Sequence, residues 1–168
     1  MDSLTAGPYH VNMVDVSKRE TVIRATPPRE AELRDAIELF YFAYRSFTVE
    51  PDRMLAEQGL GRAHHRILYF VGRHPDIAVN ELLALLAVSK QALHGPLRTL
   101  LDGEWVSARA DPRDRRFKRL RLTEAGKRLE ARLTGVQMRH LSTVLAEAGG
   151  RAESAWKSVM RAMSKRSG

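Results

Sequence analysis

The feature that most constrains the fold of this chain is a three-residue turn, Ala87-Val88-Ser89, between two short apolar segments. Leucines recur at helical spacing on both sides of it, and Ser89 is a good N-cap for the second helix, which Asp102-Gly103 ends. Turn residues then separate two strand candidates at residues 105–110 and 117–122. Two helices joined by a tight turn and followed by a hairpin predict a winged helix-turn-helix.

Longer amphipathic helices are predicted on both sides of this module. One of about 20 residues precedes it and ends at Pro51-Asp52, and a second covers residues 61–73. After the hairpin, Thr123 caps a long helix, which Gly149-Gly150 separates from a last one. The apolar face of the first helix is broad and aromatic. It is larger than one small domain can cover, which favours a homodimer. That face consists of Leu33, Ile37, Phe40, Tyr41, Tyr44 and Phe47.

The predicted fold class is mainly α with a small β-wing, and the length of 168 residues suits one domain with appended dimerising helices. An N-terminal arm takes residues 1–26. Dimerisation helices take residues 27–60 and 124–168, and the winged helix-turn-helix between them takes residues 61–123. Both ends of the chain are therefore expected to build the dimerisation domain.

The net charge of +8 is concentrated on the predicted hairpin. Residues 105–121 hold seven basic and two acidic side chains, while the whole chain has 28 Lys and Arg against 20 Asp and Glu. A hairpin cannot bury seven cations, so most of them face solvent or a polyanion. Beside a helix-turn-helix the expected polyanion is double-stranded DNA. Two alternatives remain open: a solvated basic face, and a basic architectural or RNA-binding protein without sequence specificity.

A short motif at the hairpin turn, Asp114-Arg115-Arg116, predicts how the hairpin binds DNA. An aspartate beside arginines can hold a guanidinium in one orientation by a charge-assisted contact. A long planar cation held in this way fits the narrow minor groove, where the potential is most negative. The alternative is that Asp114 only forms the turn and Arg116 makes a surface ion pair.

Other kinds of site find less support. The chain has no cysteine, which excludes disulfides, thiolate catalysis and cysteine-ligated zinc. His64 and His65 point to different helix faces, so no metal site is expected, and an enzyme using them as acid and base is a further alternative. No cofactor and no catalysis are expected. Without a secretory signal or an apolar run of about 18 residues, the expected location is cytoplasmic, with no membrane partner.

Residues 60–126 resemble the MarR family of bacterial transcriptional regulators. The matching motifs are the helix-turn-helix of residues 81–91 (ELLALLAVSKQ), the wing sequence Asp114-Arg115-Arg116, and the LTEAG of residues 122–126. The resemblance implies a homodimeric repressor that binds a pseudo-palindromic operator. It also implies that the recognition helix enters the major groove and the wing enters the adjacent minor groove.

The resemblance places candidate DNA-binding residues on both elements. On the recognition helix, Gln91 suits adenine, and Arg98 or Lys90 suits guanine or phosphate. Each of them has a phosphate contact or plain exposure to solvent as its alternative. The candidates on the recognition helix are Ser89, Lys90, Gln91, His94 and Arg98. The candidates on the wing are Arg109, Arg113, Asp114, Arg115, Arg116 and Lys118.

The chain departs from the family pattern at three places. Ala78 stands where the family has a Thr or Ser N-cap, which leaves only the Glu81 half of a capping box. Glu104 stands where a glycine is usual, with Gly103 one position early. Pro96 falls inside the recognition helix, so that helix either runs on from Ser89 with a kink or starts at Gly95-Pro96; the first is favoured.

A small aromatic or anionic effector is expected in a cleft between the dimerisation and DNA-binding domains, again from the resemblance. An arginine beside tyrosines suits a carboxylate on a ring. The alternative is that these aromatic residues are dimer core and the arginines are solvated. The candidate residues are Tyr41, Tyr44, Arg45, His64, Arg66 and Tyr69.

Overall fold

The computed structural model of the protein describes residues 28–112, 114 and 117–165. The predicted arm of residues 1–26 lies outside this range. Two compact units divide between Ile37 and Glu38. In the first, the described segment is the helical start of α1, with ion pairs Arg29–Glu32 and Arg34–Glu30 on its surface. The second unit holds the rest.

The elements confirm the predicted fold class, mainly α with a small antiparallel sheet. Their order matches the predicted order, with one strand added. The helices are α1 (Pro28–Ala56), α2 (Arg62–Arg73), α3 (Val79–Leu86), α4 (Lys90–Asp102), α5 (Glu124–Ala148) and α6 (Gly150–Ser164). The strands are β1 (Ile77–Ala78), β2 (Val106–Ala110) and β3 (Lys118–Leu122).

The predicted end of the first helix at Pro51-Asp52 is wrong, because α1 continues through Pro51 to Ala56. Proline has no N–H, so the carbonyl of Phe47 one turn earlier loses its helical donor. The side chain of Gln137 on α5 lies 3.5 Å from that carbonyl and donates to it through Nε2. Pro51 itself is buried. Packing against α5 therefore carries the helix past a residue that would otherwise end it.

The helix-turn-helix forms as predicted. Ala87 closes α3 in a left-handed conformation (φ 51°), and Ser89 Oγ accepts the Ala92 N–H at 3.2 Å to cap α4. Leu93, Leu97 and Leu100 bury one face of α4. Because α4 runs from Lys90 with Pro96 inside it, the alternative start at Gly95-Pro96 is wrong.

The wing is part of a three-stranded sheet in the order β1-β3-β2. The strand β1 was not predicted, since two residues are too few to show alternation. The β2–β3 register pairs Arg109 with Arg119 and Val106 with Leu122. Ala78 of β1 also faces Arg119. Arg119 thus lies on the central strand and is paired with a residue on each neighbouring strand.

The hydrophobic core of the second unit is built around α2, which packs against α4, α5 and β3. Its fully buried leucines come from six elements, and burial of each such side chain contributes about 1.5–3 kcal/mol. They are Leu55, Leu68, Leu82, Leu100, Leu120 and Leu133. The buried leucines of α3 and α4 therefore pack the helix-turn-helix against the rest of the unit.

The LTEAG motif joins the sheet to α5. Thr123 Oγ1 accepts the Gly126 N–H at 3.0 Å and donates to the Glu104 carbonyl at 2.6 Å. A Cβ on Gly126 would lie 1.9 Å from the Trp105 carbonyl oxygen, so only glycine allows this approach. Glu104 itself takes a left-handed conformation, with φ 57°. The Thr and the Gly of the motif are therefore fixed by the contact between α5 and the start of the wing.

Candidate nucleic-acid interface

The face of α4 opposite its buried leucines is exposed. All five predicted recognition residues, Ser89, Lys90, Gln91, His94 and Arg98, are exposed. Arg98 makes an exposed ion pair with Asp102 one turn away, at 3.5 Å. A pair this exposed is weak and leaves the guanidinium available to another anion.

Two cations of the described part of the wing face outward. Arg109 on β2 and Lys118 on β3 are exposed, and neither makes an ion pair with the described residues. The turn is closed by two backbone hydrogen bonds, Asp111 N–H to Phe117 O and Phe117 N–H to Asp114 O, both 3.0 Å. Asp114 is half-buried. The predicted contacts of Arg113, Arg115 and Arg116 lie outside the described residues.

Two cations of the hairpin are neutralised within the chain. Arg119 Nε donates to Asp111 Oδ2 at 2.6 Å, and its Nη1 donates to the Asp76 carbonyl at 3.1 Å and to Glu81 Oε2 at 3.2 Å. The hydrogen bond to Asp111 raises the pKa of the Arg119 guanidinium above its already high value.

Arg121 makes a bidentate contact through Nε and Nη2 with the two carboxylate oxygens of Asp76. This contact holds the pKa of Asp76 below its usual range. Asp76 has a left-handed backbone (φ 66°), which turns its side chain to the wing. Of the four hairpin cations in the described residues, Arg119 and Arg121 are thus paired within the chain, while Arg109 and Lys118 are exposed without an ion pair among those residues.

Of the acidic partners, Asp111 was predicted on the hairpin but not as an ion-pair partner, and Asp76 and Glu81 were not assigned to the wing, although the sequence carried a usable signal. Alternation along β3 puts Arg119 and Arg121 on one face of the strand, opposite the buried Leu120. Two arginines on one face need counter-charges, and Asp76, Glu81 and Asp111 supply them. Only the fold brings residues so distant in sequence together.

A cavity of about 420 Å³ opens between the second half of α1, α2 and α5. Three of the six predicted effector residues line it: Tyr44, Arg66 and Tyr69. The lining also includes side chains that were not predicted, namely Asp52, Arg62, His65, Gln137 and Met138. The arginine Arg62 bonds Asp52 at 2.8 Å and lies over the Tyr44 ring, 5.4 Å from its centroid.

The other three predicted effector residues lie elsewhere. The ring of Tyr41 packs edge-on against that of Phe42, with centroids 5.4 Å apart. Arg45 lies over the Phe42 ring, 5.6 Å from its centroid. His64 Nδ1 accepts the Gly61 N–H at 2.9 Å at the start of α2. None of the three lines the cavity.

His65 brings an unsatisfied polar atom to the cavity. Its Nε2 is buried and has no hydrogen-bond partner in the described structure. Burial lowers the pKa of the His65 imidazole, against a smaller opposing effect of Glu130 and Asp52. The side chain is therefore neutral near pH 7.

Large apolar side chains remain exposed on α1 and α6. In the second unit, Leu39, Phe40, Tyr41 and Phe42 of α1 are all more than half exposed. On α6, Trp156, Val159 and Met163 are exposed at helical spacing. An exposed apolar surface of this extent marks an interaction site.

The comparisons with known proteins agree with this architecture. A MarR family model matches residues 58–116, and the chain is 41% identical to the HTH-type transcriptional regulator PetP of Rhodobacter capsulatus over 134 residues. The match covers 80% of this chain and 81% of PetP. The chain belongs to the MarR family. Members of the family are DNA-binding transcriptional regulators, and transcription regulation is the function of this chain.

Solved structures of MarR regulators share the fold. The S. aureus MepR–DNA complex has a TM-score of 0.64 at 16% identity, covering 78% of this chain and 96% of MepR. The Mycobacterium tuberculosis MarR family protein Rv2887, in complex with p-aminosalicylic acid, has a TM-score of 0.54 at 23% identity and covers 76% and 96%. At these identities the likeness extends to the fold.

The described residues show neither a membrane-spanning helix nor a metal-binding cluster. None of the described helices has a stretch long and apolar enough to cross a lipid bilayer. Within the same residues, no three His, Cys, Asp or Glu side chains lie close enough to hold a metal ion.

Proposed function

We propose that this MarR regulator is a homodimeric repressor of a pseudo-palindromic operator, and that a small aromatic anion releases it. The observation that carries the proposal is the exposed polar face of α4 beside a wing whose outward cations, Arg109 and Lys118, make no ion pair within the described part of the chain. Such a surface fits a major groove and its neighbouring phosphates.

The two elements have different roles in the proposal. Gln91 offers an amide with a donor and an acceptor, the pattern that pairs with adenine in the major groove. Lys90 and Arg98 bind guanine or phosphate, and Ser89 and His94 are exposed near them along the chain. On the wing, Arg109 and Lys118 bind phosphate. The wing sequence Asp114-Arg115-Arg116, with Arg113 before it, is the proposed minor-groove contact.

A homodimer is supported by the exposed aromatic and aliphatic side chains of α1 and α6. In a monomer these side chains stay exposed to solvent. A second copy of the same surface is the simplest partner that buries them. Two subunits related by a two-fold axis present two recognition helices, which requires two half-sites about one helical turn apart.

The cavity supports an effector of defined chemistry. Its arginine Arg62 is already paired with Asp52, whereas Arg66 makes no ion pair within the described residues. Tyr69 and apolar side chains surround it, so a carboxylate on a ring suits the site. Because α1, α2 and α5 all line the cavity, a ligand that fits only one of their arrangements shifts the population of the operator-binding form.

The central experiment measures fluorescence anisotropy on a duplex of about 30 base pairs from the DNA upstream of the protein's own gene. A scrambled duplex of equal composition is the control. A repressor binds the upstream duplex at least about a thousandfold more tightly at physiological salt. Equal binding to both duplexes would favour the basic, sequence-independent alternative instead.

The effector is tested with p-aminosalicylic acid, the compound bound by Rv2887. It should weaken the upstream complex of wild-type protein, and Arg66→Met should make the complex insensitive to it without altering binding in its absence. If the compound acts equally on both proteins, the cavity is not its site.

A further inference from the structure

The base of the wing holds a cluster of opposed charges that DNA binding by itself does not explain. We define the wing-root cluster as Asp76, Glu81 and Asp111 with Arg109, Arg119 and Arg121. Its acidic members lie beside the cationic hairpin that faces a polyanion. Carboxylates there repel phosphate, so a regulator gains from them only if they do something else.

Arg119 connects three separate parts of the chain. Its Nε binds Asp111, where β2 ends, and its Nη1 binds the Asp76 carbonyl before β1 and the Glu81 carboxylate in the first turn of α3. Its side chain is 34% exposed and that of Asp111 only 9%, so the pair is shielded from solvent far more than the Arg121–Asp76 pair, whose side chains are 52% and 45% exposed. A shielded, geometrically fixed pair is screened less than a surface pair.

Glu81 extends the connection into the helix-turn-helix. The same Oε2 that receives Arg119 also accepts the Ala78 N–H at 2.7 Å, which caps α3. The helix α3 leads through the Ala87 turn to α4. One guanidinium therefore joins the wing, the strand β1 and the start of the helix that leads to the recognition helix.

We propose that Arg119 is a positioning residue for DNA binding, which holds the wing in register with the helix-turn-helix so that both reach their grooves together. The inference rests on the proposed function. Two of its guanidinium nitrogens are occupied by Asp111, Glu81 and the Asp76 carbonyl, whereas the exposed Arg109 opposite it has no ion pair among the described residues. In this proposal Arg109 binds phosphate, and Arg119 positions the wing.

Asp111→Asn separates positioning from simple electrostatics by the sign of its effect. It removes a negative charge beside the DNA, so electrostatics alone predicts equal or tighter binding. Positioning predicts weaker binding, by about fivefold or more, because Arg119 loses its closest partner. Arg119→Lys keeps the charge but loses the fork that spans three partners, and it should weaken binding to a similar extent.

The experiment measures both variants, the double variant and wild type on the upstream duplex, at a temperature where unfolding curves show all of them folded. Arg128→Lys, an exposed arginine of α5 outside the cluster, is the control and should bind like wild type. The two substitutions should be strongly non-additive, since both break the contact between Arg119 and Asp111. Amide hydrogen exchange in residues 106–110 and 118–122 of the free protein should rise in both variants, while residues 97–101 of α4 keep their protection.

Outcomes on each side are distinct. Equal or tighter binding by Asp111→Asn, or additive effects of the two substitutions, would overturn the positioning role. A wild-type protein without preference for the upstream duplex would instead reject the proposed function. The coupling between Asp111 and Arg119 can then still be measured on any duplex that the wild type binds, together with the exchange of the hairpin.

Discussion

Glu104 occupies a backbone conformation that suits glycine. Its φ of 57° is left-handed, which costs a residue with a side chain about 1 kcal/mol. The fold keeps it because its carbonyl accepts the Thr123 hydroxyl and because Trp105 follows directly. The family's usual glycine at this position has a physical reason, and the chain departs from it at a cost in stability.

We therefore expect Glu104→Gly to stabilise the protein by about 0.5–1 kcal/mol. The greater freedom that glycine gives the unfolded chain offsets part of this gain. The neighbouring Gly103→Ala should do the reverse, because its Cβ would lie 2.2 Å from Cζ3 of Trp105. Urea unfolding of both variants measures this. A loss of stability in Glu104→Gly would show that its side chain contributes more than the backbone strain costs.

His65 makes stability depend on pH. Burial lowers its pKa in the folded state below the unfolded value of about 6.5, so the unfolded chain binds the proton more readily. The protein has its full stability above that value and loses stability as the pH falls below it. His65→Leu should lower this slope in unfolding free energies measured between pH 8 and 5.

The other five histidines are unchanged in that variant, so the difference between the two curves reports His65 alone. Identical slopes in the two proteins would mean that the cavity admits water to Nε2. The sign of the effect is fixed by burial, since the nearby Glu130 and Asp52 act in the opposite direction.

At the scale of elements, local features were predictable and long-range ones were not. Ser89 and Thr123 cap the helices that the sequence assigns to them, because a cap needs only the next three residues. The prediction that the first helix ends at Pro51 is wrong because of a distant residue. Gln137, which donates to the carbonyl that Pro51 leaves without a helical donor, lies 90 residues further along the chain. The short strand β1 exists only through its pairing with Leu120 and Arg119.

The candidate site was predictable to the same extent. Helical spacing correctly separates the buried leucines of α4 from the exposed face with Gln91. Only three of the six predicted effector residues line the cavity. His64 instead caps α2 and Arg45 lies over the Phe42 ring, and residue spacing alone does not indicate either contact. Pairing of Arg119 with Asp111 needs the hairpin itself.

The recognition helix gives a prediction that separates base reading from phosphate binding. Gln91→Ala should reduce the preference for the upstream duplex over the scrambled one by about 1–3 kcal/mol. Lys90→Ala should weaken both complexes alike and lower the salt slope by about one if it binds phosphate. Anisotropy titrations on both duplexes at several salt concentrations measure these effects.

Lys157→Ala on α6 removes the same charge as Lys90→Ala and is the control. It should leave both complexes unchanged, since its partner is Glu153 on its own helix. A Gln91→Ala protein that weakens both duplexes equally would assign Gln91 to phosphate, the alternative to base reading.

At the scale of the whole molecule, the exposed face of α6 should be subunit interface. Val159 is 53% exposed between Trp156 and Met163, so an aspartate there places a charge in the middle of an apolar surface. We expect Val159→Asp to sediment as a monomer at concentrations where the wild type is a dimer. It should also lose most of its operator affinity, because a single subunit reaches only one half-site.

Leu85→Asp is the matched control, since Leu85 is 44% exposed on α3, outside α1 and α6. The same apolar-to-acid change there should leave the dimer intact, because no dimer contact is proposed for α3. Sedimentation velocity over a range of concentrations distinguishes the two proteins. If Val159→Asp remains dimeric, the subunits meet through another surface, and the spacing of the two recognition helices must be derived from that surface instead.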